Sequence, residues 1–364
     1  MKQLKVELGD RSYPIYIGAG LLEQAAAYFQ QHGIGLKSPI LIVSDDQVGP
    51  RYIDRVAGAL REGGYIVATR IVPSGETSKS LAMLEELVSA GLEAGLDRSS
   101  TIVALGGGVV GDLAGFAAAS YMRGIRFVQM PTTILAHDSS VGGKVAVNHP
   151  RAKNIIGAFH QPEFVLYDIA TLQSLPPREV RAGLAELIKE GFILNRSFVE
   201  WFEAHADALL ALEPEALEHA LYEGCKVKAY VVSNDEREDG IRAWLNLGHT
   251  FGHAFEAVAG YGELLHGEAI AIGMVCAARL SVNLGNDPEI FTVTERALRK
   301  LGLQVRIPAN LDVNDIMNVM MHDKKFREGQ MVFIVPTEIG KVEINKQIAS
   351  QSVRDVLEAM KGEA

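Results

Sequence analysis

At 364 residues, 48% of them apolar and 22% charged, the chain is long enough for two domains that each bury a core. A formal net charge of −10 argues against a nucleic-acid binder that works by neutralising phosphates, while leaving room for a local basic pocket that holds a small anion. No run approaches the ~18 apolar residues of a membrane span, the amino terminus has no signal-peptide core, and two cysteines make no disulfide framework, so a protein of the reducing cytoplasm is expected.

In chain order, Lys5–Leu8 and Tyr13–Ile17 alternate apolar and polar residues around Gly9-Asp10-Arg11, which predicts a hairpin. Leu21–Gln31 reads as a helix. Pro39–Asp45 is a short apolar run ending in an acid, the pattern of a buried parallel strand. A helix at Tyr52–Glu62, a strand at Tyr65–Ile71, a loop at Pro73–Lys79, a helix at Ser80–Ala90, a strand at Thr101–Leu105 and a helix at Val109–Ala119 follow. This βαβα alternation predicts an α/β domain with a parallel sheet.

The segment Gly106-Gly107-Gly108-Val109-Val110-Gly111-Asp112 contains G-x-G-x-x-G between a strand and a helix, the context in which glycines admit a pyrophosphate to a helix N-terminus. It departs from the usual fingerprint in lying far into the domain. It also lacks an acid some twenty residues on, where Gln129-Met130-Pro131 stands; Asp45, ending an earlier strand, is the alternative ribose ligand. A tight strand–helix turn without a ligand is the competing explanation. After a strand at Arg126–Met130 come Pro131-Thr132-Thr133 and the loop Asp138-Ser139-Ser140-Val141-Gly142-Gly143-Lys144, whose hydroxyls, paired glycines and lysine suit an anion. Lys153-Asn154 sits in a second polar break.

Pro176-Pro177 marks a domain boundary, giving domains at 1–177 and 178–364. Strand signals nearly vanish until Met331–Val335, so the second domain is expected to be mainly α-helical. In its first helix Leu184, Leu187, Ile188 and Gly191 form one face, with Glu186, Lys189 and Glu190 clustered opposite. Pattern alone favours a solvated face; the sharper alternative aims Glu186 and Lys189 into a cleft. Arg242 and Asn246 are four apart and, if helical, share a face with His249. His249 and His253 are one helical turn apart and His266 comes after a Gly-containing turn, a metal-site candidate in a chain with ten histidines. No Glu follows His249 directly, so this is not the metalloprotease helix.

Together these segments resemble the 3-dehydroquinate synthase family over nearly the whole chain: Ser74-Gly75-Glu76-x-x-Lys79, the glycine loop through Asp112, Tyr121-Met122-Arg123-Gly124, Pro131-Thr132-Thr133, Asp138 to Lys144, Lys153-Asn154, Ala185-Glu186-x-x-Lys189 and the histidine stretch. Many members carry one more residue before Asp138, where this chain reads Leu135-Ala136-His137; the motif itself is intact. The resemblance implies an N-terminal Rossmann-like domain, a C-terminal helical domain and an active site between them. It implies a phosphorus–oxygen lyase of the shikimate pathway. The reaction takes 3-deoxy-D-arabino-heptulosonate 7-phosphate to 3-dehydroquinate and phosphate through transient oxidation by NAD⁺, β-elimination, re-reduction, ring opening and aldol closure.

The implied metal, Zn²⁺ or Co²⁺, falls to Glu186, His249 and His266, which leaves His253 to act on substrate. The implied NAD site comprises Asp45, Glu76, Lys79, Gly106, Gly107, Gly108, Val109, Gly111, Asp112, Thr132, Thr133, Lys144, Lys153, Thr171, Leu172, Gln173 and Ser174. Lys144, Lys153, Asn154, Lys189, Lys228, Arg242, Asn246, His253 and Lys324 are expected to hold the sugar-phosphate substrate, with Asp138 binding a hydroxyl and orienting Lys144. Arg123 is expected to reach the neighbouring active site of a homodimer. No nucleic-acid or membrane partner is expected. The rival readings are another sugar-phosphate cyclase, such as a 2-deoxy-scyllo-inosose synthase, and a metal-dependent polyol dehydrogenase that releases NADH.

Overall fold

The β-branched runs of the N-terminal half pair into one sheet because each is short, apolar and bounded by turn residues. The computed structural model describes residues 1–260, 262–322 and 331–362. In chain order the elements of the N-terminal part are β1 (Lys2–Val6), β2 (Tyr13–Gly18), α1 (Ala25–Gln31), β3 (Ile40–Asp45), α2 (Gly49–Glu62), β4 (Val67–Val72), α3 (Leu81–Glu93), β5 (Thr101–Gly106), α4 (Gly108–Ser120), β6 (Arg126–Pro131), α5 (Ala136–Ser139), β7 (Lys144–His149), β8 (Ala152–Phe159) and β9 (Phe164–Asp168). Seven strands form one sheet in the order β1-β2-β9-β6-β5-β3-β4. Only β1 and β2, the predicted hairpin, are antiparallel; every other neighbouring pair is parallel. The chain steps outward from β3 to β4, then returns to the other side of β3 as β5. The carboxyl ends of β3 and β5, Asp45 and Gly106, therefore flank the point where strand order reverses, where open α/β sheets bind ligands. Where polar loops were expected, β7 and β8 form a separate antiparallel hairpin with Lys144 opposite Phe159.

The rest of the chain runs α6 (Pro177–Leu194), α7 (Arg196–Ala204), α8 (Ala206–Leu210), α9 (Pro214–Asn234), α10 (His249–Ala259), α11 (His266–Asn283), α12 (Glu289–Lys300), α13 (Val313–His322), β10 (Phe333–Glu338), β11 (Lys341–Asn345) and α14 (Ser350–Met360). It is mainly helical, with β10 pairing antiparallel to a partner strand, β11, that the sequence pattern does not announce. Contacts assign Met1–Leu175 and Leu217–Ser233 to one compact unit, and Pro176–Ala216 and Asn234–Ala364 to a second. The first cut falls at the Pro176-Pro177 break. Most of α9, Lys228 included, belongs with the first unit, so the expected 178–364 domain is interrupted.

In the second unit α11 is apolar on all sides and buried from Ala269 to Ala278, which makes it the central rod against which α6, α10 and α12 pack. Small residues set how closely they approach. A Cβ at Gly267 would lie 1.9 Å from the Ala182 carbonyl oxygen of α6, and one at Gly273 would lie 2.1 Å from the Gly248 carbonyl oxygen before α10. Glycine at these two crossings lets α6 and α10 reach α11 at backbone contact.

Candidate functional site

The crossing at Gly267 brings α6, at Ala182, beside the first turn of α11, and the crossing at Gly273 brings the start of α10 against the middle of α11. Their consequence is a cluster of Glu186 from α6, His249 and His253 from α10, and His266 from the start of α11. Glu186 Oε1 lies 3.7 Å from His249 Nε2 and 3.4 Å from His266 Nε2. The His249 ring lies 5.3 Å from His253 and 5.2 Å from His266, centroid to centroid. The one-turn spacing of His249 and His253 thus has the geometry read from the sequence.

The remaining contacts sort these nitrogens. His249 Nδ1 is 3.2 Å from the Leu247 carbonyl, and His266 Nδ1 is 3.0 Å from Glu256 Oε2. A carbonyl or carboxylate partner on Nδ1 calls for an N–H there, and in the neutral tautomer that matches these contacts both rings turn the Nε2 lone pair toward Glu186. Glu186 Oε2 accepts from Lys189 Nζ at 2.5 Å, whereas the buried Oε1 has no hydrogen-bond partner among the described residues. An orphaned, buried carboxylate oxygen facing two lone pairs is costly unless a cation lies between them. Ligands of a tetrahedral zinc, each at about 2.0–2.1 Å, sit roughly 3.3 Å apart, which these separations approach. The three histidines offer a second combination, with nitrogens all within 4.8 Å of one another. The set with Glu186 fits better because it gives the orphaned oxygen a partner and supplies negative charge. Burial pushes the His266 imidazole down, but Glu256 and Glu186 outweigh it and leave it above its ordinary value.

The solvated face that pattern alone favours for α6 is not present. Glu186, Lys189 and Glu190 are buried, because α6 packs on two sides and its charged stripe turns inward. Lys189 Nζ bridges to Glu190 Oε1 at 3.9 Å. Arg242, also buried, donates from Nη1 to the Glu236 carbonyl, and its N–H donates to Asp235 Oδ2 at 2.9 Å. Asn246 Nδ2 donates to Glu238 Oε1 at 3.0 Å. Arg242 and Asn246 lie on a 3-10 turn, Ile241–Asn246, and Gly248 at φ 81° separates it from α10. The continuous helical face expected to carry them to His249 is therefore broken. Glu238 and Glu256 contact site residues and were missed; nothing in their spacing sets them apart from surface acids. Lys324 lies outside the described residues.

In the first unit the glycine loop opens α4 at the end of β5, as the motif requires. Its glycines have ordinary negative φ, so packing rather than backbone conformation demands them. A Cβ at Gly106 would lie 2.7 Å from Val110, and one at Gly107 would lie 3.1 Å from Thr133. Five polar residues around this loop form one network. Lys79 Nζ donates to Asp112 Oδ2 at 2.6 Å and to Asn154 Oδ1 at 2.5 Å; Asn148 Nδ2 donates to Glu76 Oε1 at 2.8 Å, and the Asn154 N–H to Asn148 Oδ1 at 2.8 Å. Burial raises the Asp112 carboxyl, and the Lys79 ammonium offsets this only in part.

Asp45 Oδ1 accepts the Gln47 and Val48 N–H groups at 2.9 and 2.8 Å, so it caps the turn into α2. Thr133 Oγ1 accepts from Ala136 N–H at 3.2 Å, while the buried Thr132 hydroxyl has no hydrogen-bond partner among the described residues. Thr171 and Ser174 close a 3-10 turn, with Thr171 and Leu172 buried. Asp138, expected to orient Lys144, holds Lys228 Nζ at 2.6 Å through Oδ1 and again through its carbonyl. The preceding His137 is buried, with Nδ1 2.8 Å from the Ile134 carbonyl, and serves the turn that presents Asp138. The hairpin separates Lys144 from Lys153 and Asn154: five residue steps of strand, about 17 Å, separate Asn154 from Phe159, the partner of Lys144. Arg123 is exposed and adopts φ 71°, directly after Met122 at φ 50°.

Two family profiles match this chain, 3-dehydroquinate synthase N-terminal over residues 69–182 and 3-dehydroquinate synthase C-terminal over residues 183–326. A 3-dehydroquinate synthase from Desulforamulus reducens is 49% identical over 359 residues, which is 98% of this chain and 99% of the relative. Among solved structures, a 2-deoxy-scyllo-inosose synthase complexed with carbaglucose-6-phosphate, NAD⁺ and Co²⁺ aligns with a TM-score of 0.90 at 29% identity, covering 99% of this chain and 100% of that one. A 2-epi-5-epi-valiolone synthase from Streptomyces hygroscopicus with NAD⁺ and Zn²⁺ bound aligns with a TM-score of 0.87 at 26% identity, covering 97% and 98%. With both halves matched and a relative so similar over its full length, this chain belongs to the 3-dehydroquinate synthase family.

Proposed function

We propose that this chain converts 3-deoxy-D-arabino-heptulosonate 7-phosphate into 3-dehydroquinate and phosphate, with NAD⁺ recycled in each turnover and a divalent metal, zinc or cobalt, held by Glu186, His249 and His266. The observation that carries the reading is the convergence of Glu186 Oε1 with two imidazole Nε2 atoms in a chain of this family. Structures of two similar cyclases hold NAD⁺ together with Co²⁺ or Zn²⁺, which supports the pairing of cofactor and metal. When bound, NAD⁺ supplies a reversible hydride acceptor and the metal a Lewis acid that acidifies a substrate hydroxyl.

The chain's own residues do the rest. Gly106, Gly107, Gly108, Val109 and Gly111 admit the pyrophosphate to the N-terminus of α4. Asp45, Glu76 and Lys79 serve the ribose and adenine side; Asp112, Thr132, Thr133, Lys144, Lys153 and Thr171 to Ser174 complete the cofactor site. Lys189 holds Glu186 Oε2 and so leaves Oε1, on the side of His249 and His266, as the atom that would hold the metal. Lys144, Lys153, Asn154, Lys189, Lys228, Arg242, Asn246, His253 and Lys324 bind the phosphate, carboxylate and hydroxyls of the substrate, which explains so many cations among the motif residues of an acidic chain. Asp138 binds a hydroxyl. The substrate phosphate takes the proton lost in its own elimination, so the chain need only hold it in reach.

The working form is a homodimer with Arg123 reaching the partner's phosphate site. The setting is the cytoplasm, where the buried thiols Cys225 and Cys276 stay reduced. No helix among the described residues is long and apolar enough to cross a membrane.

The test is incubation with the heptulosonate phosphate and a trace of NAD⁺, following free phosphate and NADH absorbance. Many phosphates per NAD⁺ with no net NADH is the expected result. One NADH per substrate would make the chain a polyol dehydrogenase. Turnover only of a sugar phosphate lacking the carboxylate would make it another cyclase.

A further inference from the structure

We propose that Glu256 is a positioning residue for the metal centre, fixing the tautomer and orientation of His266 so that its Nε2 faces Glu186. The inference rests on the metal reading above and adds a residue that reading does not contain. Glu256 lies on α10, seven residues after His249, with its side chain 12% exposed, and its Oε2 is 3.0 Å from His266 Nδ1. The opposite ring nitrogen of His266 is 3.4 Å from Glu186 Oε1, so one imidazole spans two carboxylates. A neutral imidazole carries a single proton, and the carboxylate on the Nδ1 side holds it there.

The two imidazoles facing Glu186 are held by different means. His249 sits inside a segment that supplies its own acceptor, the Leu247 carbonyl two residues back. His266 is the first residue of α11, and the carbonyl immediately before it, that of Leu265, is taken by the helix itself, accepting from Ala269 N–H at 3.1 Å. The acceptor for His266 therefore comes from the neighbouring helix, and it is a full carboxylate. A carboxylate on Nδ1 also makes the opposite nitrogen a more basic ligand than a peptide carbonyl does. Because Glu256 shares α10 with His249, the contact couples the placement of His266 to the helix that carries His249.

The experiment uses the full chain, stripped of metal, in wild type, Glu256→Ala, Glu256→Gln and Glu186→Gln forms. Co²⁺ is titrated by its visible d–d absorption and Zn²⁺ by competition with a chromophoric chelator, with circular dichroism to check folding. Glu256→Ala is expected to weaken metal binding roughly ten- to a hundredfold. Glu256→Gln keeps an acceptor for Nδ1–H but loses the charge, and is expected to fall between, roughly three- to tenfold weaker. Wild-type affinity in either folded variant overturns the inference, and the glutamine form decides if the alanine form does not fold. Equal metal binding by wild type and Glu186→Gln would instead overturn the metal reading itself, and this inference with it.

Discussion

The glycine loop of the first unit and the histidine cluster of the second are both built by close approach, yet they handle charge in opposite ways. Around the loop, the buried Lys79 is answered by Asp112 and Asn154, and Glu76 by Asn148. Around the histidines, Glu186 keeps one buried oxygen without a hydrogen-bond partner among the described residues. A satisfied network is a rigid cradle that stands by itself; an unsatisfied buried carboxylate is stable only when something binds it. The proposed nucleotide side should therefore be insensitive to removal of its ligand, and the proposed metal side should depend on it.

The largest effect that would break this contrast comes from the proposed metal ligands. Glu186→Ala and His249→Ala are expected to lose the metal and to lower turnover by more than about a thousandfold, since a Lewis acid contributes several kcal/mol. His253→Ala is expected to keep the metal while losing roughly 10²–10⁴ in turnover, the range of a general acid or base. Metal content by atomic emission beside phosphate release separates the outcomes. Loss of metal in His253→Ala would favour the three-histidine set over the one containing Glu186.

A second effect contrasts the glycines. Gly267→Ala places a Cβ 1.9 Å from a backbone carbonyl of α6, so the helices must part. The expected cost is about 1–3 kcal/mol, a fall in Tm of roughly 2–10 °C, together with weaker metal binding. Gly108→Ala meets only the Ser139 side chain, its hydroxyl at 3.2 Å, and Gly108 begins a helix where alanine is favourable. It is expected to change Tm little, to leave metal content alone and to raise KM for NAD⁺. Equal loss of stability in both would mean that the two sites use their glycines alike.

These contrasts also explain what could be read from the sequence. The alternation of apolar runs and amphipathic stretches places the parallel sheet, and the glycine loop carries its own context in a strand before and a helix after. The charged stripe of α6 misleads, because helical periodicity hands polar residues to solvent and cannot anticipate that Glu186, Lys189 and Glu190 are buried against α11 and its neighbours. Val145 and Val147 alternate for too short a stretch to announce β7 beside the conspicuous Gly142-Gly143-Lys144. The break at Gly248 depends on a left-handed backbone that an unbroken polar pattern hides. Resemblance to a family, rather than spacing, separated Glu186 from the other acids and His253 from the two proposed histidine ligands.

A third effect concerns Arg123, which follows Met122 in a second consecutive left-handed conformation, costly for non-glycine residues. Losing one charge-assisted phosphate contact should cost about 1.5–3 kcal/mol, roughly ten- to a hundredfold in affinity or rate. If Arg123 acts in trans, mixing Arg123→Ala with Lys144→Ala subunits creates one pocket with both residues intact, and activity should rise toward half that of wild type once subunits exchange. Exchange without recovery would return Arg123 to its own subunit, and a monomer by sedimentation would remove the premise.

The smallest effect tests how the entry of α11 is held. Glu268 accepts Arg178 Nε on Oε1 and Arg178 Nη2 on Oε2, both at 2.7 Å, and also accepts the Leu265 N–H at 2.8 Å. This staple joins the first turn of α6 to the first turn of α11, upstream of Glu186 on one helix and just past His266 on the other. Burial raises the Glu268 carboxyl, but Arg178 and the Leu265 N–H together bring it below its ordinary value of 4.5. A depressed carboxyl contributes stability that is fully present above that ordinary value and is lost as pH falls through the lower value of the folded state. Arg178 is 52% exposed, so solvent screening holds the contribution to about 0.5–1 kcal/mol, a Tm difference of roughly 1–3 °C. Thermal unfolding of metal-free wild type and Glu268→Gln should show that difference at pH 7 and lose it in acid. A difference unchanged across this range would trace it to packing instead of charge. Repeating the pair with metal bound should leave the difference as it was, because Glu256, not this staple, holds the His266 ring. A gap that widened with metal would mean the staple shapes the metal centre as well, since metal lifts Tm according to the affinity each variant retains.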